Sequence, residues 1–321
     1  MSDSPYIVCI SCITYNHENY IRDCLDGFVM QKTNFKFVAI VHDDASTDGT
    51  AAIVKEYAEK YPDIIKPIFE TENQYSKPGK PLRKIMNEAV AKTGAKYIAM
   101  CEGDDYWINP LKLQKQVDFM EANPDYTMCF HNIKVRYLTN YSKHSNRYKK
   151  TKDAPIKDVI QRGGDFIPTL SILMRAKTYF DAPSIVWSQY VGDYPLQIYL
   201  AIAGKIRYLS DVMGVYRANQ TSATTTLLNA REKLESNIAK ELKIYSDLNA
   251  YTNNKYIKYF ENRKNFYLAN QMYKLDRYPE ARKYWWKSRL CYSRNNRMMI
   301  LYIHGLTSIL RFRRGIINLV K

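Results

Sequence analysis

Four short apolar runs, each ending in polar or acidic residues and each followed by a helix-like segment, constrain this chain more than any other feature. The runs are Tyr6–Ile13, Phe37–Val41, Ile64–Phe69 and Tyr97–Cys101. Apolar runs of this length without alternation read as strands buried on both faces. Between them, Asn16–Met30 places Tyr20, Ile21, Leu25 and Phe28 at helical spacing. Ser46 and Thr47 offer N-caps for a second helix through Tyr61, which Pro62 stops. Leu82–Lys92 reads as a third helix, and Pro110 opens a fourth that runs to about Asn123. The order β-α-β-α-β-α-β-α predicts an α/β fold: a mostly parallel, Rossmann-like central sheet flanked by helices.

The pattern loosens after the fourth helix. Thr127–Tyr137 and Thr169–Met174 read as strands, Asn140–Asp153 as a polar loop, and Asp193–Ala203 as a helix. Ile206–Leu209 and Met213–Tyr216 read as two further strands, and residues 227–321 as wholly helical. The formal charge of +16 is concentrated there, with 20 Lys+Arg against 7 Asp+Glu in residues 221–321. Such a field fits an anionic partner or a solvated helical face. Met298–Lys321 mixes apolar residues with Arg311, Arg313, Arg314 and Lys321, as a helix lying on an anionic membrane would, or one docked on protein. No run approaches ~18 apolar residues and no cationic leader opens the chain, so the expectation is a cytoplasmic protein, peripheral at the inner face of the cell membrane.

Parallel sheets bind ligands at the carboxyl ends of their strands. Asn16, Asp43, Asp44, Glu102, Asp104 and Asp105 all fall there. Clustered carboxylates repel one another, so they either cap helices or hold something positive. Asp43 and Asp44 suit a helix cap, or acceptance of the N3–H of a pyrimidine base. Three carboxylates within four residues at 102–105 exceed what capping needs; as hard oxygen ligands they suit Mg²⁺ or Mn²⁺ carrying substrate phosphates.

At these residues a family resemblance emerges. CITYNHENYIRDCLDGFVMQ, VHDDASTDGTAAIV, AKYIAMCEGDDYWINPLKLQKQV and GDYPLQIYLAIAGKIRYLSDVMGVYR follow in order across about residues 5–222. Together they resemble the family 2 glycosyltransferases: inverting enzymes of GT-A fold, here of the bacterial surface-polysaccharide type. The resemblance implies a catalytic domain over residues 1–222, with a nucleotide-sugar half to about 125 and an acceptor half over 126–222. A basic helical region, 223–321, would follow.

It also assigns roles. Thr14, Tyr15, Asn16, Asp43 and Asp44 would line the nucleobase and ribose pocket, with Asn73 and Asn87 flanking the nucleotide. Asp104 would ligate Mn²⁺ or Mg²⁺, Glu102 would contact ribose or metal-bound water, and Asp105 and Trp107 would shape the sugar pocket. Asp193 matches the catalytic base, and capping of the helix it opens is the alternative or additional role. Arg217 would help neutralise phosphate. Two departures stand out: Glu102 occupies the place of an Asp, and Asn219 the place of a His that touches metal or diphosphate. The implied partners are a UDP-sugar donor, a glycan or lipid-linked acceptor and an anionic membrane at the tail. Nucleic acid is disfavoured, because an acidic mouth repels polyanions. A nucleotidyltransferase is the competing enzyme, but the turn after the first strand is Tyr15-Asn16-His17-Glu18 rather than Gly-rich. A non-catalytic basic membrane- or RNA-binding protein is the competing non-enzyme.

Overall fold

The computed structural model describes residues 6–79, 81–137, 142–145, 147–189, 191–218 and 231–288. The chain divides into two compact units, residues 1–159 with 164–225 and residues 160–163 with 226–321. In the first, β1 (Tyr6–Thr14), β2 (Lys36–Asp43), β3 (Ile65–Phe69) and β4 (Tyr97–Met100) run parallel in the order β3-β2-β1-β4. The chain returns between them through α1 (Ile21–Val29), α2 (Thr50–Lys60) and α3 (Pro81–Lys92). β2 is buried from Phe37 to Asp43, as a sheet covered on both faces requires.

β5 (Tyr106–Trp107) and α4 (Lys112–Ala122) then lead into β6 (Tyr126–Tyr137). The sheet continues through β9 (Leu173–Arg175), antiparallel to both β4 and β6, and β10 (Lys205–Ala218), parallel to β6. β5 closes the edge against β10. The sheet is therefore mostly parallel but mixed. Where the sequence predicts a loop, β7 (Ser142–His144) and β8 (Lys152–Asp153) pair with β6 and β10. The two strands expected at 206–209 and 213–216 are one strand, β10, whose register against β6 shifts between Leu209 and Gly214. A bulge of this kind carries the polar Ser210-Asp211 break without ending the strand. Thr169 opens a 3₁₀ turn rather than a strand; the Ser171 hydroxyl donates back to the Pro168 carbonyl at 2.6 Å, and β9 begins only at Leu173. Ser46 and Thr47 do not cap α2: the Asp48 carboxylate accepts from the Thr50 N–H at 2.9 Å and from its hydroxyl at 2.5 Å.

Four helices follow β8: α5 (Ile156–Arg162), α6 (Ala176–Phe180), α7 (Ser184–Trp187) and α8 (Asp193–Ala203). The second unit contains α9 (Arg231–Tyr251), α10 (Ile257–Lys274) and α11 (Tyr278–Ser288). Arg282, Lys283 and Lys287 are exposed on α11, so part of the basic charge is solvated there. The segment 298–321 lies outside the described residues. No helix among those described is long and apolar enough to cross a membrane.

The core beneath the carboxyl edge is built around Trp107. Its indole N–H donates to the Leu170 carbonyl at 2.8 Å and its ring lies 5.0 Å from Phe28. The Lys112 Nζ sits 3.8 Å over the same ring, fully buried and without a hydrogen-bond acceptor, and burial pulls its pKa down to about 7. α1 can approach β5 this closely only because residue 27 is Gly: a Cβ there would stand 2.9 Å from the Trp107 nitrogen and 3.1 Å from its carbonyl oxygen. Both obstacles are backbone, which cannot swing aside. Gly27→Ala should therefore destabilise the fold by about 1–3 kcal/mol. Thermal or urea unfolding measures this; an unchanged midpoint would mean that α1 slides freely on β5.

Candidate active site

β1 and β2 end in register, Thr14 opposite Asp43, and the chain leaving β4 continues along β1 with the Gly103 N–H on the Ile13 carbonyl at 2.9 Å. This brings the loops after β1, β2 and β4 to one edge. The loop after β1 turns through Asn16 in the left-handed region, φ 53°, and is then joined to the loop after β2. The Asn16 side-chain Oδ1 accepts from the Thr47 N–H at 2.8 Å, the His17 N–H donates to the Thr50 hydroxyl at 2.7 Å, and the Glu18 carboxylate accepts from the Gly49 N–H at 2.8 Å. Tyr15 stands exposed at the turn.

Asp43 and Asp44 are buried, and each organises a loop. Asp43 accepts from the Ser46 N–H at 3.1 Å and from its hydroxyl at 2.5 Å. Asp44 accepts the N–H groups of Gln74 and Tyr75 at 2.7 and 3.0 Å, while the Asn73 amide donates to the Asp44 carbonyl at 3.3 Å. Asn73 thus shapes the loop above β3. A carboxylate oxygen has two lone pairs, so each acid retains capacity for a base or ribose.

Glu102, Asp104 and Asp105 place one oxygen each within 4.8 Å of the others. Gly103 between them is obligatory: a Cβ would lie 2.5 Å from the Thr14 hydroxyl and 3.0 Å from the His17 Nδ1. Glu102 reaches the surface but is closely surrounded by protein. Loss of hydration, then the charges of Asp104 and Asp193, push its pKa up to about 7. Burial and Asp104 raise Asp105 well above the carboxylate range. All three donors are hard oxygens, a set that fits Mg²⁺ or Mn²⁺, with Glu102 and Asp104 the more accessible.

Asp193 opens α8, and its carboxylate accepts from the Tyr194 N–H at 2.8 Å. Its charge also acts on the Glu102 carboxyl, raising the Glu102 pKa after burial and Asp104.

Several expected contacts fall elsewhere. Trp107 is buried in the core, so its ring packs against Phe28 and Lys112 instead of a sugar. Asp105 is buried too, and its Oδ1 accepts from the Arg217 N–H at 2.8 Å. Asn87 faces α6, accepting the Tyr179 hydroxyl at 2.6 Å, away from the nucleotide loops. The Arg217 side chain is enclosed rather than open to phosphate. It donates to the Asp104 carbonyl at 2.8 Å, pairs with Asp23 on α1 and stacks on Tyr106, 4.3 Å from the ring centroid. Asn219 lies outside the described residues.

Sequence reasoning missed His17 and Asp23. His17 sits against Thr14 at 3.2 Å; burial lowers its pKa, opposed first by Asp104. Its position after β1, level with Asp43 and Glu102, was the available signal. Asp23 had none, because only the fold brings α1 beside β10.

Residues 9–180, more than half the chain, match Glycosyl transferase family 2; the chain belongs to that family. An uncharacterized protein of Mycobacterium tuberculosis is 37% identical over 211 residues, covering 65% of this chain and 58% of that one. This chain thus matches little more than half the length of that relative. The poly(ribitol-phosphate) beta-N-acetylglucosaminyltransferase TarS of Staphylococcus aureus is 32% identical over 141 residues, 43% of this chain and 22% of that one. The solved structure of TarS 1–349 with UDP-GlcNAc superposes with a TM-score of 0.59 at 17% identity, covering 86% of this chain and 79% of that one. A Pyrobaculum calidifontis mannosyltransferase solved with GDP-Man and Mn²⁺ gives 0.53 at 15% identity, over 92% and 84%. The fold is of GT-A type, and the relatives include polysaccharide-building glycosyltransferases.

Because the Glu102 pKa is pushed up to about 7, a divalent cation held there, Mn²⁺ for instance, would have to displace its proton at lower pH. Affinity should fall by up to about tenfold per pH unit below 7 and level off above it. Calorimetry in buffers of different ionisation enthalpy checks both affinity and proton release. A pH-independent affinity would remove Glu102 from the cation site.

Proposed function

We propose that this glycosyltransferase moves a sugar, with inversion, from a UDP-linked donor to a hydroxyl of a glycan or lipid-linked glycan during surface-polysaccharide synthesis. The observation that carries the reading is the acidic cluster of Glu102, Asp104 and Asp105 sharing its electrostatic environment with Asp193. A sugar hydroxyl is a poor nucleophile, so its proton must leave as it attacks the anomeric carbon. Asp193 would be the carboxylate that takes it. Asp104 and Glu102 would hold Mn²⁺ or Mg²⁺, which neutralises charge growing on the departing diphosphate. Attack from the face opposite the leaving group inverts the anomeric centre.

The nucleotide would sit over Thr14, Tyr15 and Asn16, within reach of Asp43, Asp44 and the Asn73 loop. Uracil is preferred because the TarS fold was solved with UDP-GlcNAc. A guanosine donor is the second reading, since the mannosyltransferase of similar fold was solved with GDP-Man and Mn²⁺. We assign catalysis to residues 1–222. The basic region 223–321 would hold the enzyme at an anionic, cytoplasmic membrane face, where a lipid-linked acceptor would lie.

A thermal-shift panel of UDP-sugars and GDP-mannose with Mn²⁺ tests the donor. Ligand at 100 times its Kd adds about 2.7 kcal/mol of stability, a readily visible shift. UDP-sugars should stabilise only with metal, and Asp104→Ala should abolish the effect. Asp193→Asn should lower turnover by roughly 10²–10⁴-fold while leaving UDP·Mn²⁺ binding intact. Normal turnover in Asp193→Asn would refute the base assignment.

A further inference from the structure

One face of α3 carries Arg83 and Asn87, one helical turn apart and therefore side by side. Both reach into the segment before Asp193. The Arg83 Nη1 donates to the Trp187 carbonyl at the end of α7, and the guanidinium stacks over the Trp187 indole at 5.3 Å. Asn87 accepts the Tyr179 hydroxyl at 2.6 Å, and the Tyr179 and Trp187 rings meet edge to face at 5.0 Å. Arg83, Asn87, Tyr179 and Trp187 thus form a closed set of polar and ring contacts. The Arg83 Nη2 lies under Gly192, where a Cβ would stand only 2.9 Å away. Among the described residues Arg83 has no carboxylate partner, and loss of hydration lowers its pKa. A half-buried guanidinium held by a carbonyl and a ring, without a counter-charge, is an expensive way to anchor a surface loop.

We infer that Arg83 is a positioning residue for Asp193: it seats the Gly192-Asp193 start of α8 against the nucleotide-binding half of the domain. The inference rests on the reading of Asp193 as base. α3 begins directly after the loop that Asp44 organises, so one rigid helix connects the nucleotide loops to the base-bearing segment. The absent side chain at 192 is what lets the guanidinium pass beneath the helix start. Gly192 has φ −99° and ψ −42°, a conformation that alanine adopts without strain. Any cost of a methyl group there must therefore come from Arg83, which cannot yield without breaking its bond to Trp187 or leaving the ring.

The test is a double-substitution cycle using Gly192→Ala, Arg83→Ala and the pair, with Arg83→Lys alongside. Three quantities are read: UDP·Mn²⁺ affinity by calorimetry, turnover of the sugar nucleotide selected by the thermal-shift panel, and the unfolding midpoint. Gly192→Ala should cut turnover by roughly tenfold or more with UDP·Mn²⁺ affinity within about twofold of the parent, the signature of a displaced catalytic group. Adding Gly192→Ala to Arg83→Ala should cost little further, because the obstacle is gone. Arg83→Lys should not rescue, since an ammonium lacks the flat fork that bonds and stacks together. Additive losses, equal losses in affinity and turnover, or full rescue by Lys would each overturn the inference. If Gly192→Ala fails to fold, the turnover-to-affinity split in Arg83→Lys decides alone. Failure of the base reading has a different signature: full turnover in Asp193→Asn with the 83–192 coupling in unfolding still present.

Discussion

Negative charge crowded onto one edge of a sheet is the constraint around which the catalytic unit is organised. Buried carboxylates survive only when donors or cations meet them. Here Asp43 and Asp44 receive N–H and hydroxyl groups from loops that they thereby order, and Asp105 receives the main-chain N–H of Arg217. Arg217 adds its guanidinium, shared among the Asp104 carbonyl, Asp23 and two tyrosine rings. This compensating cation comes from the far end of β10. The acidic loop therefore has a defined shape only once β6 and β10 have paired, which couples the two halves of the domain. Glu102 and Asp104 receive no such neutralisation from the described residues, and that residual charge is what the proposed metal-bound diphosphate would meet.

The first half of the fold was legible because β2, β4 and most of β1 are buried, so Val, Ile and Ala runs appear undiluted, while β3 at the sheet edge is only partly covered. Helix starts were less legible: side chains of Ser46, Thr47 and Asp48 are all plausible caps, and only tertiary contacts with Asn16 and Asp43 divide the work among them. The second half resisted reading for a different reason. β5, β8 and β9 are two or three residues long, too short for any period to register, and exist because neighbouring strands offer them an edge. The bulge in β10 disguised one strand as two, since Ser210-Asp211 looks like a turn.

Site residues sorted along the same line. Acids at strand ends could be placed from sequence because parallel sheets expose those ends by construction. Side chains whose role depends on which way a helix faces could not. Asn87 lies in the right segment but on the face of α3 that meets Tyr179, and Trp107 lies two residues beyond the buried Asp105, on the inward side of β5. Arg217 was located correctly and its task was mistaken, because a cation near phosphate and a cation among carboxylates look alike in one dimension.

Lys112 and Glu102, described above for separate reasons, combine into a property of the whole chain. Glu102 binds its proton more tightly folded than unfolded, 7 against 4.5, so the fold loses stability as pH climbs through that interval. Lys112 binds its proton less tightly folded, about 7 against 10.5, so stability returns only as pH climbs further. The contribution of these two groups is therefore least favourable near neutrality. Cation capture by the acidic loop, as proposed, would offset the share that comes from Glu102.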